Sequence, residues 1–333
     1  MRKNKFITFA LLGSLAMGLL CGCTKNDSNL TTITLALDWT PNTNHTGFYV
    51  ADELGYFEEK GIKIEIIEAL ESGAESVVAS GTAQFGISFQ DYLVPAFSVP
   101  KDEQLPITAV AAIVQHNTSG IISPKELNII SPKDLCGHSY ATWNLEIEQA
   151  IMKKVVTEDG GNWNQVNLTP QYVENIGGAF ASGIDAVWIY YGWDGINTEL
   201  NEIETNFFYF KDYGIELDYY SPVIIANNEF LENNSELVKD FMAAVTKGYE
   251  YAIENPEESA RILANASEGL DVNLCIASQT WISKKYQDDA AYWGVINEER
   301  WDAFFAWIYE NGLCENEIPS GFGFTNDYID DGR

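Results

Sequence analysis

Positive charge is scarce in this chain: 19 Lys and Arg stand against 49 Asp and Glu, a formal net charge of −30 at pH 7. No basic patch is available to neutralise phosphates, so nucleic acid is excluded as an expected partner. The acidic excess reads as a solvated surface. Histidine is scarcer still, and His45, His116 and His138 have no neighbours at metal-ligand spacing. Cys136, Cys275 and Cys314 are widely separated and match neither zinc nor redox spacing. They read as small buried hydrophobes, with a Cys275–Cys314 bridge left open. The sequence has no G-x-S-x-G, no H-E-x-x-H, no phosphate loop and no calcium loop. Gly321-Phe322-Gly323 lacks the rest of a dinucleotide fingerprint. The expectation is therefore a protein that is not an enzyme and needs neither cofactor nor metal. After the N-terminal segment no apolar run approaches the roughly 18 residues of a membrane span.

The N-terminal segment itself is a signal. Arg2, Lys3 and Lys5 precede the apolar run Phe6–Leu20, and Leu20-Cys21-Gly22-Cys23 follows. A basic, then apolar, then small-residue order marks secretion. The last four residues resemble a bacterial lipoprotein cleavage box, which implies cleavage before Cys23 and acylation of its thiol. Cleavage before Cys21 would put Leu20 at the small-residue position. Residues 1–22 are thus read as signal peptide and residues 23–32 as a polar tether. The expected location is the extracytoplasmic face of the cell membrane, held by lipid alone.

The rest of the chain is organised around Asp38–Phe57. Ile33, Leu35 and Leu37 alternate with polar or small residues as a strand, which breaks at Trp39-Thr40-Pro41-Asn42. Gly47, Val50, Ala51 and Leu54 then recur at helical spacing. Asn44 or Thr46 can cap that helix, and Gly55 stands at its stop. A strand-to-helix turn of this kind lies at the carboxyl edge of an open α/β sheet, where ligands bind. Trp39 offers a stacking face there.

The pattern continues as β-α-β-α-β through Ile62–Ile66, Ala74–Ser80 and Phe85–Phe89, which demands right-handed parallel crossovers. About 102 residues on, Ala181-Ser182-Gly183 and the strand to Tyr191 echo Ala79-Ser80-Gly81 and the strand to Phe89. Two similar α/β lobes follow. Ile107–Val114 and Gly120–Ser123 read as strands closing the first, and Pro222–Ala226 as a strand returning to it. Residues 31–122 plus 223–333 are assigned to lobe 1 and residues 123–222 to lobe 2. Two crossings make a hinge, as in bilobal solute binders. The C-terminal third is helical, with apolar stripes that read as core.

Candidate ligand-binding residues cluster at the strand ends: Trp39, Asn42 and His45; Phe89, Gln90 and Asp91; Trp143 and Asn144; Tyr191, Trp193 and Asp194; and Tyr220 near the hinge. Residues 38–57, 86–98, 139–152 and 176–200 contain no Lys or Arg. An anion receptor is expected to place a cation in its site. Asp38, Asp91, Glu146 and Asp194 lie in these segments instead, so the pattern favours a neutral or cationic flat heterocycle.

Through GYFEEKGI (55–62), ASGTAQFGISFQD (79–91), SPKDLCG (131–137) and FTNDY (324–328), the chain resembles solute-binding proteins related to the fungal thiamine-pyrimidine synthase and to bacterial formylaminopyrimidine-binding proteins. The resemblance runs from about residue 33 to Tyr328. It implies a type II periplasmic-binding-protein-like fold, two α/β lobes on a two-crossover hinge. It also implies that Trp39 stacks on the ligand ring, with Asn42 and His45 nearby. The implied role is the lipid-anchored receptor of an ABC importer, with permease and ATPase subunits as partners and a thiamine-pyrimidine precursor or similar ring as ligand. Formylaminopyrimidine binders carry a glutamate near the position of Gly195, where this chain has Asp194 as the adjacent acid. The fungal synthase consumes a histidine, matched by His45, and uses a lysine and a cysteine-rich motif. Phe89 stands at the lysine position and no cysteine cluster exists. Synthase activity and an alkanesulfonate or taurine receptor are the alternatives.

Overall fold

The computed structural model describes residues 30–68 and 73–329. The expected signal peptide, Cys23 and most of the tether lie outside these residues. Among the described residues no helix is long and apolar enough to cross a membrane.

Ten strands of the described chain form two five-stranded sheets. The first sheet takes β1 (Thr31–Ala36), β2 (Ile62–Ile67), β3 (Phe85–Ser88) and β4 (Ile107–Ala112). The second takes β5 (Ser119–Pro124), β6 (Ser139–Thr142), β7 (Asn167–Pro170), β8 (Ala186–Tyr190) and β9 (Thr205–Tyr209), after which β10 (Val223–Asn227) returns to the first. The orders are β2-β1-β3-β10-β4 and β7-β6-β8-β5-β9. In each, three parallel strands are followed by one antiparallel strand that arrives from the other sheet: β10 beside β3, and β5 beside β8. The echo in the sequence corresponds to this symmetry, since β3 and β8 hold equivalent places.

One strand lies elsewhere than expected. Gly120–Ser123 does not close the first lobe; β5 pairs with β8 and β9 in the second sheet. Its Ile121 and Ile122 are apolar on both faces and suit either sheet, so the pairing partner decides. Gly120 fits it to β9, because a Cβ there would stand 2.0 Å from the Phe208 carbonyl oxygen. The first crossing therefore falls in residues 113–118 and the second in residues 210–222.

The helix Ser235–Glu254 covers the first sheet with Val238, Phe241, Val245 and Tyr249, all fully buried. The Phe241 ring stacks on Phe85 at 4.1 Å. The same helix meets the helix Thr46–Glu53 at a glycine contact, where a Cβ on Gly248 would come within 2.1 Å of the Gly47 carbonyl oxygen. Backbone lies on both sides of this contact, so neither element can yield by rotating a side chain. Gly248→Ala is expected to destabilise the fold by about 1–3 kcal/mol, the usual range for overpacking, measured by urea unfolding.

The two crossings are tied together by His116. Its Nδ1 lies 2.6 Å from Asp218 Oδ2 on the second crossing, and its Nε2 lies 3.0 Å from Asp289 Oδ1. Arg300 Nε sits 3.5 Å from the same Asp218 oxygen. The hydrogen bond to Asp218 raises the His116 pKa, against the opposing pull of burial. A histidine whose folded pKa exceeds its unfolded value of about 6.5 stabilises fully below that pH. The contribution disappears as pH rises through the folded pKa. His116→Gln is therefore expected to cost about 1 kcal/mol at pH 6 and less at pH 9, read from melting curves at the two pH values.

Candidate functional site

The carboxyl ends of the parallel strands of both sheets converge on one cleft of about 430 Å³. After β1 come Asp38, Trp39, Asn42 and Asn44; after β3, Phe89 and Tyr92. From the second sheet, Trp143 and Leu145 follow β6, and the segment Gln171–Glu174 follows β7. Trp188 and Tyr190 on β8, with Trp193 and Asp194 in the turn beyond, complete the wall. Phe89 stacks on Tyr190 across the two sheets, with centroids 5.7 Å apart and an interplanar angle of 23°. At the mouth Trp39 is 43% exposed, and Tyr172 lies within hydrogen-bond reach of it from the other side.

Local sequence sets each wall. Asn42 accepts from Asn44 N at 2.9 Å and caps the short turn Thr43–His45, which leads into the helix Thr46–Glu53. The helix itself has His45 at its N-cap position with no side-chain cap bond, so neither Asn44 nor Thr46 caps it. His45 is fully buried. Its Nδ1 accepts from Asn42 N at 3.2 Å, so the ring proton sits on Nε2 and is donated to Asp38 Oδ1 at 2.7 Å. That bond fixes the turn carrying Trp39.

The opposite wall is held by Glu148. Its carboxylate, in the first turn of the helix Glu146–Glu158, is 4% exposed. It accepts from Tyr140 Oη, from Thr142 Oγ1 at 2.9 Å, from Trp143 N at 3.3 Å and from Leu145 N at 3.2 Å. Two hydroxyls and two backbone amides of the loop bearing Trp143 and Leu145 thus depend on one side chain.

The charge in the cleft is acidic. Asp38, Glu174 and Asp194 line it, with no Lys, Arg or His among the lining residues. Burial pushes Asp194 up to about 6, while the backbone amides of Tyr190 and Asp194 pull it down. Apolar faces with a few placed polar groups suit a planar organic ligand. Carboxylates accept hydrogen bonds and pair with cations; they repel an anionic guest.

The family described as NMT1/THI5 like matches residues 42–259. The chain belongs to this family. It is 28% identical to the formylaminopyrimidine-binding protein of Halalkalibacterium halodurans, over 98% of this chain and 99% of that protein. A 4-amino-5-hydroxymethyl-2-methylpyrimidine phosphate synthase of Legionella pneumophila is 27% identical over 73% of this chain and 76% of its own length. Among solved structures, the alkanesulfonate-binding protein SsuA of Xanthomonas axonopodis, bound to MOPS, superposes with a TM-score of 0.63. It is 13% identical and covers 88% of this chain and 98% of that one. The fold is thus the periplasmic-binding-protein type expected from the sequence.

Of the residues singled out from the sequence of this family member, Trp39, Asn42, Phe89, Trp143, Trp193 and Asp194 line the cleft. Six others stand away from its wall. His45 is enclosed as described. Gln90 is fully buried, accepting from Tyr220 N at 3.0 Å and donating to the Trp301 carbonyl at 2.8 Å. Asp91 is not among the lining residues; its Oδ1 is buried without a partner, and burial pushes its pKa up to about 7. Asn144 takes a left-handed backbone, φ 62°, and accepts from Gln149. Tyr191 turns outward onto Gly195 and donates to Glu199. Tyr220 accepts from Asn297 N at 2.8 Å behind the cleft, with its ring 5.1 Å from the Arg300 guanidinium. Glu146 is exposed, and Glu148 is the buried acid.

The largest omission is Gln171–Glu174, a short polar stretch after a strand too brief to show alternation. Pro170 followed by the capping Asn175, which accepts from Gly178 N at 2.6 Å, was the available signal for a loop between elements. Cys136, Cys275 and Cys314 are free, and only Cys275 is buried.

Proposed function

We propose that this protein is the substrate-binding component of an ABC importer and captures a planar nitrogen heterocycle of the thiamine-pyrimidine kind, releasing it unaltered. The observation that carries this reading is the cleft itself. Aromatic side chains from both sheets enclose carboxylates and no cation. An indole and a phenol stack on a heteroaromatic ring, and the carboxylates accept its amino hydrogens. The formylaminopyrimidine-binding relative, aligned over nearly the whole chain, supports the same ligand class. Binding drives closure only if the closed form holds the ligand more tightly than the open one. The closed form then docks on permease and ATPase subunits, with the lipid on Cys23 keeping the receptor at the extracytoplasmic face.

Enzymatic synthesis is the weaker reading. Phe89 occupies the position at which the resemblance calls for a lysine, and His45 is enclosed between Asp38 and the Asn42 amide. A sulfonate receptor is disfavoured by the acidic cleft. A thermal-shift panel of aminopyrimidines, purines, flavins and alkanesulfonates tests the proposal. An aminopyrimidine is expected to raise Tm most; stabilisation by sulfonates alone contradicts it.

A further inference from the structure

The turn after β8 is gripped by helices that belong to the first sheet. The helix Val272–Tyr286 places Ile282 and Tyr286 in one core with Ile33 and Leu35 of β1. Other residues of the same helix meet Tyr191–Gly195, which continues from the second sheet. Ser278 is fully buried and donates its one hydroxyl proton to the Gly192 carbonyl, so the Thr43 hydroxyl, 2.6 Å away, must donate to it. The Trp281 ring lies on Tyr191 with centroids 5.5 Å apart, and a Cβ on Gly192 would stand 3.0 Å from the same indole. One residue further, Trp193 packs against Ala260, Leu263 and Cys275, all buried on the helices Pro256–Ala266 and Val272–Tyr286. Thr43 adjoins Asn42 of one cleft wall and Gly192 adjoins Trp193 of the other, while neither Ser278 nor Trp281 lines the cleft. One hydroxyl therefore joins the two walls from outside the cleft.

We propose that Ser278 and Trp281 are positioning residues: they latch the turn carrying Trp193 and Asp194 to the first lobe when the cleft closes, and so set affinity without touching the ligand. The inference rests on the reading of the protein as a receptor that closes on its ligand. Opening the lobes separates Gly192 from Ser278 and Tyr191 from Trp281, and leaves the Thr43–Ser278 pair intact within the first lobe. The latch belongs to the closed form alone, so its contribution shifts the open–closed balance and, with it, the apparent affinity. Release requires the latch to part, which places its effect in the dissociation rate.

The test compares wild type with Ser278→Ala and Gly192→Ala, the second adding a methyl that holds the turn off Trp281. Each is titrated calorimetrically with 4-amino-5-hydroxymethyl-2-methylpyrimidine, its dissociation is followed by stopped flow, and its ligand-free form is measured by X-ray scattering. Ser278→Ala is expected to weaken the probe about tenfold, with the loss in the dissociation rate. A role confined to holding the helix would instead lower the melting temperature and leave the affinity of the folded protein unchanged; that result overturns the inference and leaves the heterocycle reading standing. If the probe fails to bind the wild type, the heterocycle reading falls and scattering decides the latch. A larger radius of gyration in the variants than in wild type then supports it, and an unchanged one overturns it. Should Ser278→Ala fail to fold, Gly192→Ala carries the same measurements.

Discussion

Trp39→Ala weakens binding of an aminopyrimidine at least tenfold, about 1.4 kcal/mol, and leaves the melting temperature nearly unchanged. The two halves of that result come from one fact. Trp39 is 43% exposed at the cleft mouth, so little of its indole contributes to the core. Its face is available for stacking, where a ring pair gives about 0.5–1.5 kcal/mol beyond the area it buries. The burial of ligand and indole surface adds to this. Tyr172, within reach of Trp39 from the opposite lip, loses its cross-cleft partner in the same variant. Unchanged calorimetric affinity in a folded Trp39→Ala protein would remove this residue from the site.

Glu148→Ala has the opposite signature: it strikes stability first and binding through stability. Its carboxylate receives two hydroxyls and two backbone amides, so the alanine leaves four donors without their acceptor at a buried position. Leaving a buried donor unpaired costs about 1–3 kcal/mol, and water entering the gap recovers part of it for several donors together. A loss of about 3 kcal/mol or more is expected in urea unfolding. Affinity falls as well, because the loop carrying Trp143 and Leu145 is no longer held. Glu148→Gln keeps one acceptor oxygen and is expected to fall between wild type and alanine. A loss below about 1 kcal/mol in Glu148→Ala would show that the loop is held by something else.

Periodicity made much of the fold legible. Alternation in Ile33–Leu37 and Ile62–Ile66 gives β1 and β2, and the helix stop at Gly81 before Phe85 gives β3. The placement of cleft-lining residues after β1 follows from strand-to-helix logic alone. Pairing was less accessible. β5 is apolar on both faces, so its own residues do not choose a sheet, and the β8–β5–β9 register depends on residues far along the chain. Facing was the second limit. In Trp188–Asp194 the strand ends at Tyr190 and the chain turns through Tyr191–Gly195, so strand alternation no longer tells which ring lines the cleft. A polar, Gly-rich strand end points to Tyr191 and Trp193; the structure puts Trp193 on the wall together with Trp188 and Tyr190, and Tyr191 off it. Carboxylates posed the third. Asp91 and Asp194 look alike in sequence, yet Asp91 keeps one oxygen buried without a partner and stands off the wall, while Asp194 lines the cleft. Burial depends on what packs over a side chain, which local sequence does not encode.

A crystal structure of the protein grown with 4-amino-5-hydroxymethyl-2-methylpyrimidine tests the account most directly. The ring is predicted to lie between Trp39 and the aromatic side chains of the second sheet, with its amino group at a cleft carboxylate. An anionic guest held by lysine or arginine, or a pyrimidine bound anywhere outside this cleft, would contradict it.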